Sequence, residues 1–450
     1  MGGADESFQL LPSYLYMLKL KNPGTITEFE SDSKSRFKYL FMAIGVCLAG
    51  FCSQMRPVIA VDACFLKCKY LGSLFVTTCK DGNNNVYPIA WGVKDSKNDA
   101  SWEWLFTKLR STIGHEIPNL VFVYDRHKSI SNAELTVFPS ALHVHCIYHI
   151  GQKVKAKFKH ENVHALFYKA TKAYRESEFH ELFNELVRYD VAIGTYLREA
   201  DLNHWARAYS DGKGFDIMMT NIAECLNAAL ADARKLSIQC LMEYINNMLQ
   251  QWFYERRGHA SKMGEHLTSW AEGEIAKRLA LSQYWKSEPI DMYRFNVKDG
   301  NSGGIIDLKA KTCTCRVFDF DKLSRGHALV AVRSRNIDPY SLSFAYYQIE
   351  ALLCADADPI MPVGSQADWI MPDESASIKL LPLATRRKCE RRKTCRIPSA
   401  SEEKMRVKCG RCGQIGHNRQ TCSNPITLDE KKEGSRKGAR VKHVQHKFLY

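Results

Sequence analysis

No stretch of this 450-residue chain has enough uncharged apolar residues to cross a bilayer. The longest, YLFMAIGVCLAGFC at 39–52, has 14, against the roughly 20 that a spanning helix needs. No membrane partner is expected, and a buried helix is the expected form of that run. No leader is expected either, because MGGADESFQL is acidic and polar, and the 16 cysteines are too dilute for a small disulfide scaffold. A reducing compartment is expected. Net charge is missing from the first 378 residues, where 43 Lys+Arg meet 43 Asp+Glu; the remainder, from Lys379, carries 20 against 6. Aromatics are missing there as far as Lys447, since no Phe, Tyr or Trp stands between Ile370 and Lys447.

What is present begins at Pro57. PVIAVDACFLK, SLFVTTCK and VYPIAWGVK read as three strands, the last two joined by DGNNN, a strong hairpin turn signal. DASWEWLFTKLRSTIG follows with Trp102, Leu105, Phe106 and Leu109 at helical spacing. NLVFVYD is a fourth strand and ALHVHCIYHI a fifth, after which the chain is helical from Gly151 to about Met219. Three hairpin-linked strands, a helix, a strand, a short helix and a strand are the order of a ribonuclease-H-like α/β core. The crossover returns the fourth strand parallel to the first, so their ends can lie side by side. Each end carries an acid, Asp62 after VIAV and Asp125 after VFVY.

Two acids on adjacent strand ends suit phosphoryl transfer with two divalent ions, which needs carboxylates converging from different elements. Mg2+ or Mn2+ would take such hard oxygen donors. Glu224 in TNIAECLN is the candidate third acid, though on spacing alone Asn221 followed by Glu224 reads as a capping box.

Cysteine supplies a second chemistry. Cys409, Cys412, His417 and Cys422 have the spacing C-x2-C-x4-H-x4-C, four ligands that can wrap one tetrahedral zinc, as in a CCHC knuckle. Knuckles of this kind bind single-stranded nucleic acid, but the stretch around it, 370–447, lacks an aromatic for base stacking, so weak, salt-sensitive binding carried by the flanking charge is expected. That charge clusters at Arg386, Arg387, Lys388, Arg391, Arg392 and Lys393, and again at Lys431, Lys432, Arg436 and Lys437, a pattern for nucleic-acid binding or nuclear targeting. CTCRVFDFDKLSRGH at 313–327 holds Cys313, Cys315 and His327, three of the four ligands of a structural zinc site.

PVIAVDACFLKCKYLGSLFVTTCKDGNNNVYPIAWGVKD, SWEWLFTKL, VYDRHKSI, HCIYH, TNIAECLNA and CTCRVFDFDKLSRGHALVAVRSRNIDPYS resemble, in this order, the plant Mutator-like element transposases over roughly residues 10–425. The resemblance implies a ribonuclease-H-like DDE core with an all-helical insertion, its acids on Asp62, Asp125 and Glu224. It also implies a CxxH motif on Cys146 and His149, and a SWIM-type finger on Cys313, Cys315 and His327. In the SWIM pattern the third cysteine stands two residues before the histidine, where this chain has Arg325, which cannot ligate zinc; Asp319, Asp321 or water is left to complete the shell. Two further departures are Ala63 and Ser129, where the family commonly has glycine, so that a left-handed backbone could be blocked. Members usually carry a separate DNA-binding domain ahead of the core. This chain has no Cys or His cluster before Cys47, and the expectation is that such a module is missing.

The expected organisation is lead-in helices at 1–55, the core at 56–255 with its insertion at about 151–219, and a SWIM-like region at 256–345. A basic linker at 346–408, the knuckle at 409–425 and a basic, largely disordered tail at 426–450 follow. The expected function is transposition in the nucleus, with transposon-end DNA, single-stranded nucleic acid and further copies of the chain as candidate partners and zinc as a second cofactor. The alternative is a domesticated, catalytically inactive DNA-binding regulator.

Overall fold

The structure, a computed structural model, describes residues 3–114, 117–210, 217–218, 221–263, 266–300, 303–373, 377–383, 409, 412, 414 and 422–423. The chain divides into two units, Met1–Arg386 and Arg387–Tyr450. No helix among the described residues is long and apolar enough to cross a membrane.

Seven strands form the central sheet: β1 (Ile26–Ser31), β2 (Phe37–Ala43), β3 (Val58–Phe65), β4 (Ser73–Lys80), β5 (Val86–Lys94), β6 (Val121–Tyr124) and β7 (Leu142–His145). Their order is β1-β2-β5-β4-β3-β6-β7, with β3/β6 and β6/β7 parallel and the other pairs antiparallel. Val58–Val61 and all of β6 are buried on both faces, so helices must cover both. Alternation along β3 shows which helix covers which. Ala63 pairs with Phe75, whose ring meets Trp102 edge-on at 4.6 Å, so this face lies under the helix Asp99–Ile113. Asp62, one residue back, points to the opposite face, where Asn227 of the helix Asn221–Ala229 reaches it. The DGNNN turn closes β4 onto β5, with Asp81 accepting from the Asn85 backbone N–H at 2.7 Å and Asn84 at φ 64°.

Four expectations need correction. The first 55 residues are not helices alone, because β1 and β2 form a hairpin that extends the sheet beyond β5. The apolar run at 39–52 accordingly splits into the end of β2 and the helix Gly45–Gln54, as the free edge of β5 offers Tyr39–Met42 a ladder of backbone partners. ALHVHCIYHI is a strand only as far as His145; a new helix, Ile147–Lys157, starts after Cys146. Residues 346–383 are not a linker. The helix Ile349–Ala355 packs on Gly45–Gln54, and Ile360, Val363, Leu380 and Leu383 are buried in the main core. Residues 384–408 lie outside the described residues.

Neither replaced glycine distorts the backbone. Ala63 lies within β3 and Ser129 within the helix Lys128–Val137, and neither has a positive φ.

Helices Ile147–Lys157, Val163–Lys172, Glu176–Tyr189 and Val191–Arg198 build a second core around Phe167, Phe179 and Trp205. A third gathers around β8 (Lys286–Pro289), β9 (Arg294–Lys298), β10 (Gly304–Asp307) and β11 (Thr312–Cys313), an antiparallel sheet packed on the helix Gly326–Ser334.

One buried pair beside the sheet makes stability depend on pH. Glu134 is fully buried, with the Tyr124 hydroxyl at 3.4 Å and His143 Nδ1 at 3.6 Å. Burial pushes its carboxyl up to about 7, and burial together with the stacked His204 pulls His143 down to about 4, so the two face each other neutral near pH 6. Between pH 4.5 and 7 the folded state therefore holds a Glu134 proton that the unfolded state has lost, and this group's contribution to stability falls as pH rises. Glu134→Gln removes that loss while keeping a hydrogen-bonding side chain. Urea unfolding should find the variant equal to wild type near pH 4 and about 2–3 kcal/mol more stable at pH 8. The opposite trend from His143 is common to both proteins; equal stability at pH 8 contradicts the assignment.

Candidate active site and metal-ligand clusters

The register of β3 on β6 positions the first two acids. Val58 pairs with Val121, Ile59 with Phe122 and Ala60 with Val123, so the same offset brings Asp62 level with Asp125 just past the end of β6. Burial, opposed by the Ala63 N–H and Lys97, and reinforced by the charges of Asp125 and Glu224, pushes Asp62 up to about 6. All three acids thus share one electrostatic neighbourhood. Asp125 Oδ1 is buried with no hydrogen-bond partner.

Glu224 belongs to the helix Asn221–Ala229, which begins at Asn221 itself. Its Oε1 lies 3.7 Å from His149 Nε2. Burial draws His149 down, but its hydrogen bond to Cys146 and the charges of Cys146, Glu224 and Asp125 outweigh this and push it up to about 9. A cationic imidazole therefore faces the acids. Cys146, fully buried, precedes the first turn of Ile147–Lys157 and donates its backbone N–H to Tyr124 O at 2.8 Å, the residue before Asp125. Ligand atoms of Cys146, His149 and Glu224 all lie within 4.8 Å of one another.

Two side chains at this site escaped the sequence reading. Asn227 Nδ2 donates to Asp62 Oδ2 at 2.7 Å, while its Oδ1 takes the Cys64 thiol at 2.9 Å. Lys97 bonds the Ala63 carbonyl and attracts Asp62. Asn227 had one available signal, its position three residues after Glu224 and hence on the same helix face. Lys97 stands in a loop and had none.

The second cluster gathers Cys313, Cys315 and His327, all buried, with ligand atoms within 4.8 Å of one another. His327 Nδ1 lies 3.4 Å from Cys313 Sγ, and its Nε2 lies 3.3 Å from Asp299 Oδ2. A carboxylate behind the imidazole orients Nδ1 toward the thiols, as carboxylates do behind zinc-bound histidines. Gly304 leaves the room, since a Cβ there would stand 2.7 Å from His327 Nδ1 and 3.1 Å from Cys313 Sγ. Cys315 ionises first, because hydrogen bonds from Cys313 and His327 and the charge of Arg325 lower its pKa; the Cys313 thiol is held correspondingly high. Of the candidate fourth ligands, Asp321 is engaged by Arg278 at 2.5 Å and by the Tyr174 hydroxyl at 3.3 Å. Asp319 accepts the Cys313 backbone N–H beside Cys315. Arg325 lines a cavity of about 880 Å³ with Cys315, His327, Lys169 and Lys172.

In the second unit, ligand atoms of Cys409, Cys412 and Cys422 also lie within 4.8 Å of one another, and Cys409 N–H donates to Gln414 O at 2.8 Å. His417 lies outside the described residues, as do Arg386, Arg387, Lys388, Arg391, Arg392, Lys393, Lys431, Lys432, Arg436 and Lys437.

Residues 58–153 match the MULE transposase domain. The match supports a transposase or transposase-derived function and, in general, DNA as a partner. It contains Asp62, Asp125, Cys146 and His149, and ends before Glu224 and the other two cysteine clusters. No curated protein matches the chain.

Proposed function

We propose that this chain is a Mutator-like transposase, or derives from one, and that its core cleaves and joins DNA at transposon ends through Asp62, Asp125 and Glu224. The observation that carries this reading is the in-register arrival of Asp62 and Asp125 on adjacent parallel strands, with Glu224 and Asn227 delivered to the same face by one helix. The strand order β5-β4-β3-β6-β7 within the larger sheet supports a ribonuclease-H-like core, and the helices between Ile147 and Arg198 support the insertion.

The donors fit Mg2+ or Mn2+. They are hard carboxylate oxygens, one of them a buried Asp125 oxygen without a partner, and a cation would offset the burial, and with it the neighbouring acids, that raise Asp62. A bound pair of such ions supplies an activated water or 3′ hydroxyl and stabilises the leaving 3′ oxygen. The chain's own part is positional. Asn227 fixes one oxygen of Asp62, the β3/β6 ladder fixes the separation of the two aspartates, and Lys97 offsets part of their charge.

Around that core, Cys409, Cys412, His417 and Cys422 would hold zinc, and with the basic clusters would give weak, salt-sensitive nucleic-acid binding in the nucleus. Cys313, Cys315 and His327 would hold a second zinc more loosely, for want of a fourth protein ligand. Arg325 in that place favours the other reading, a domesticated regulator without cleavage. The two are separated by Mg2+- or Mn2+-supported nicking of DNA bearing the element's own ends, wild type against Asp125→Ala. Nicking by wild type alone is the expected result. Its absence in wild type supports the regulator, and equal nicking by both removes Asp125 from the site.

A further inference from the structure

Cys146, His149 and Glu224 come from two helices that are unrelated in sequence, yet their donor atoms converge within 4.8 Å. Around one tetrahedral zinc, with bonds of about 2.0–2.3 Å, neighbouring donors stand roughly 3.3–3.8 Å apart. The 3.7 Å between His149 Nε2 and Glu224 Oε1 already falls in that range. Thiolate, imidazole and carboxylate together are a zinc donor set, whereas magnesium has little use for sulfur or nitrogen. Two of the donors are held by the fold: Cys146 is fully buried and pinned by its N–H to Tyr124 O, and His149 follows one turn later on the same helix. His149 Nδ1 is itself buried without a hydrogen-bond partner.

We propose that Cys146, His149 and Glu224 form a three-ligand site for zinc, with the fourth position left to solvent, and that zinc there competes with strand cleavage by withdrawing Glu224 from the pair of aspartates. The competition rests on the cleavage reading given above; the site itself does not. Binding takes up the metal as the thiolate, the neutral imidazole and the carboxylate, so the protons of Cys146 and His149 pass to solvent. Glu224 is the shared ligand. It can face Asp62 and Asp125 across the end of the sheet or close on Cys146 and His149, and the choice of metal decides between the two. Magnesium favours the first arrangement and zinc the second, on donor hardness alone.

The test counts zinc on the full chain, without DNA, after equilibration at buffered free zinc. The knuckle and the Cys313 cluster contribute equally to every variant, so differences report this site. Wild type should hold one equivalent more than Cys146→Ser, His149→Ala or Glu224→Gln, while Asp62→Asn should keep the wild-type count. His149 is half-buried where Cys146 is fully buried, so His149→Ala remains informative if Cys146→Ser fails to fold. An equal count in wild type and the soluble variants overturns the site. In a second arm, zinc that saturates the site should slow Mg2+-supported nicking by wild type at least about tenfold, and slow Cys146→Ser far less. Equal sensitivity overturns the competition. Absence of all nicking in zinc-free wild type would instead count against the cleavage reading, leaving the zinc count to decide the site.

Discussion

Glu224→Gln should abolish metal-supported strand cleavage, with a loss on the order of 10³-fold or more, and leave the unfolding midpoint almost unchanged. The substitution keeps size and hydrogen-bonding capacity but removes the negative charge. A glutamate that merely capped its helix would be replaced by glutamine at little cost, because glutamine serves in the same capping position. The helix begins at Asn221, and the Glu224 carboxylate lies 3.7 Å from His149 and contributes to the field that raises Asp62. Those contacts depend on charge. Side-by-side nicking assays and thermal melts check the expectation; full cleavage by the variant removes Glu224 from the chemistry and returns it to a structural role.

Arg325→Cys should turn the Cys313 cluster into a tight zinc site. Three protein donors are already within 4.8 Å of one another, Asp299 already orients His327, and Gly304 already leaves the space. A third thiolate, as the fourth ligand, should tighten zinc on the order of 100-fold, as four-ligand structural sites bind with roughly 10–16 kcal/mol in all. The guanidinium now in that position helps ionise Cys315 by its charge, yet has no lone pair to give a metal. Competition with a chromophoric chelator reads the change directly. An unchanged affinity would mean that Arg325 does not occupy the missing ligand's direction, and that Asp319 or water completes the shell in both proteins.

Much of the core was legible because its strands are uniformly apolar. Val58–Val61 and Val121–Tyr124 have no polar alternative to burial, and the DGNNN turn closes only one hairpin. Boundaries failed where a pattern served two elements. HVHCIYHI is as good a strand as a helix start, and the change comes at Cys146 because its N–H is the last to find a partner on β6. Residues 346–383 read as part of a linker because the stretch from 370 to 408 is rich in Pro, Ser and Lys/Arg; those that are buried fill places on a surface built by distant segments, as Leu380 and Leu383 do against the core. Even backbone pairing there is remote, with Leu381 bonded to Ser35 and Phe37.

The sequence by itself determined the kinds of donor and their local spacing: one acid after each of the apolar runs VIAV and VFVY, Cys-x-x-His at a helix start, and Cys-x-Cys with a histidine twelve residues on. Local spacing is set by short-range backbone geometry, so it can be read along the chain. Convergence of distant segments beyond the Asp62 and Asp125 pair was decided by the tertiary structure alone. Asn227 reaches Asp62 across 165 residues, and Glu224 meets His149 only because its helix lies over the end of the sheet. Such meetings depend on how whole layers pack, and no pattern within either segment encodes the other's position.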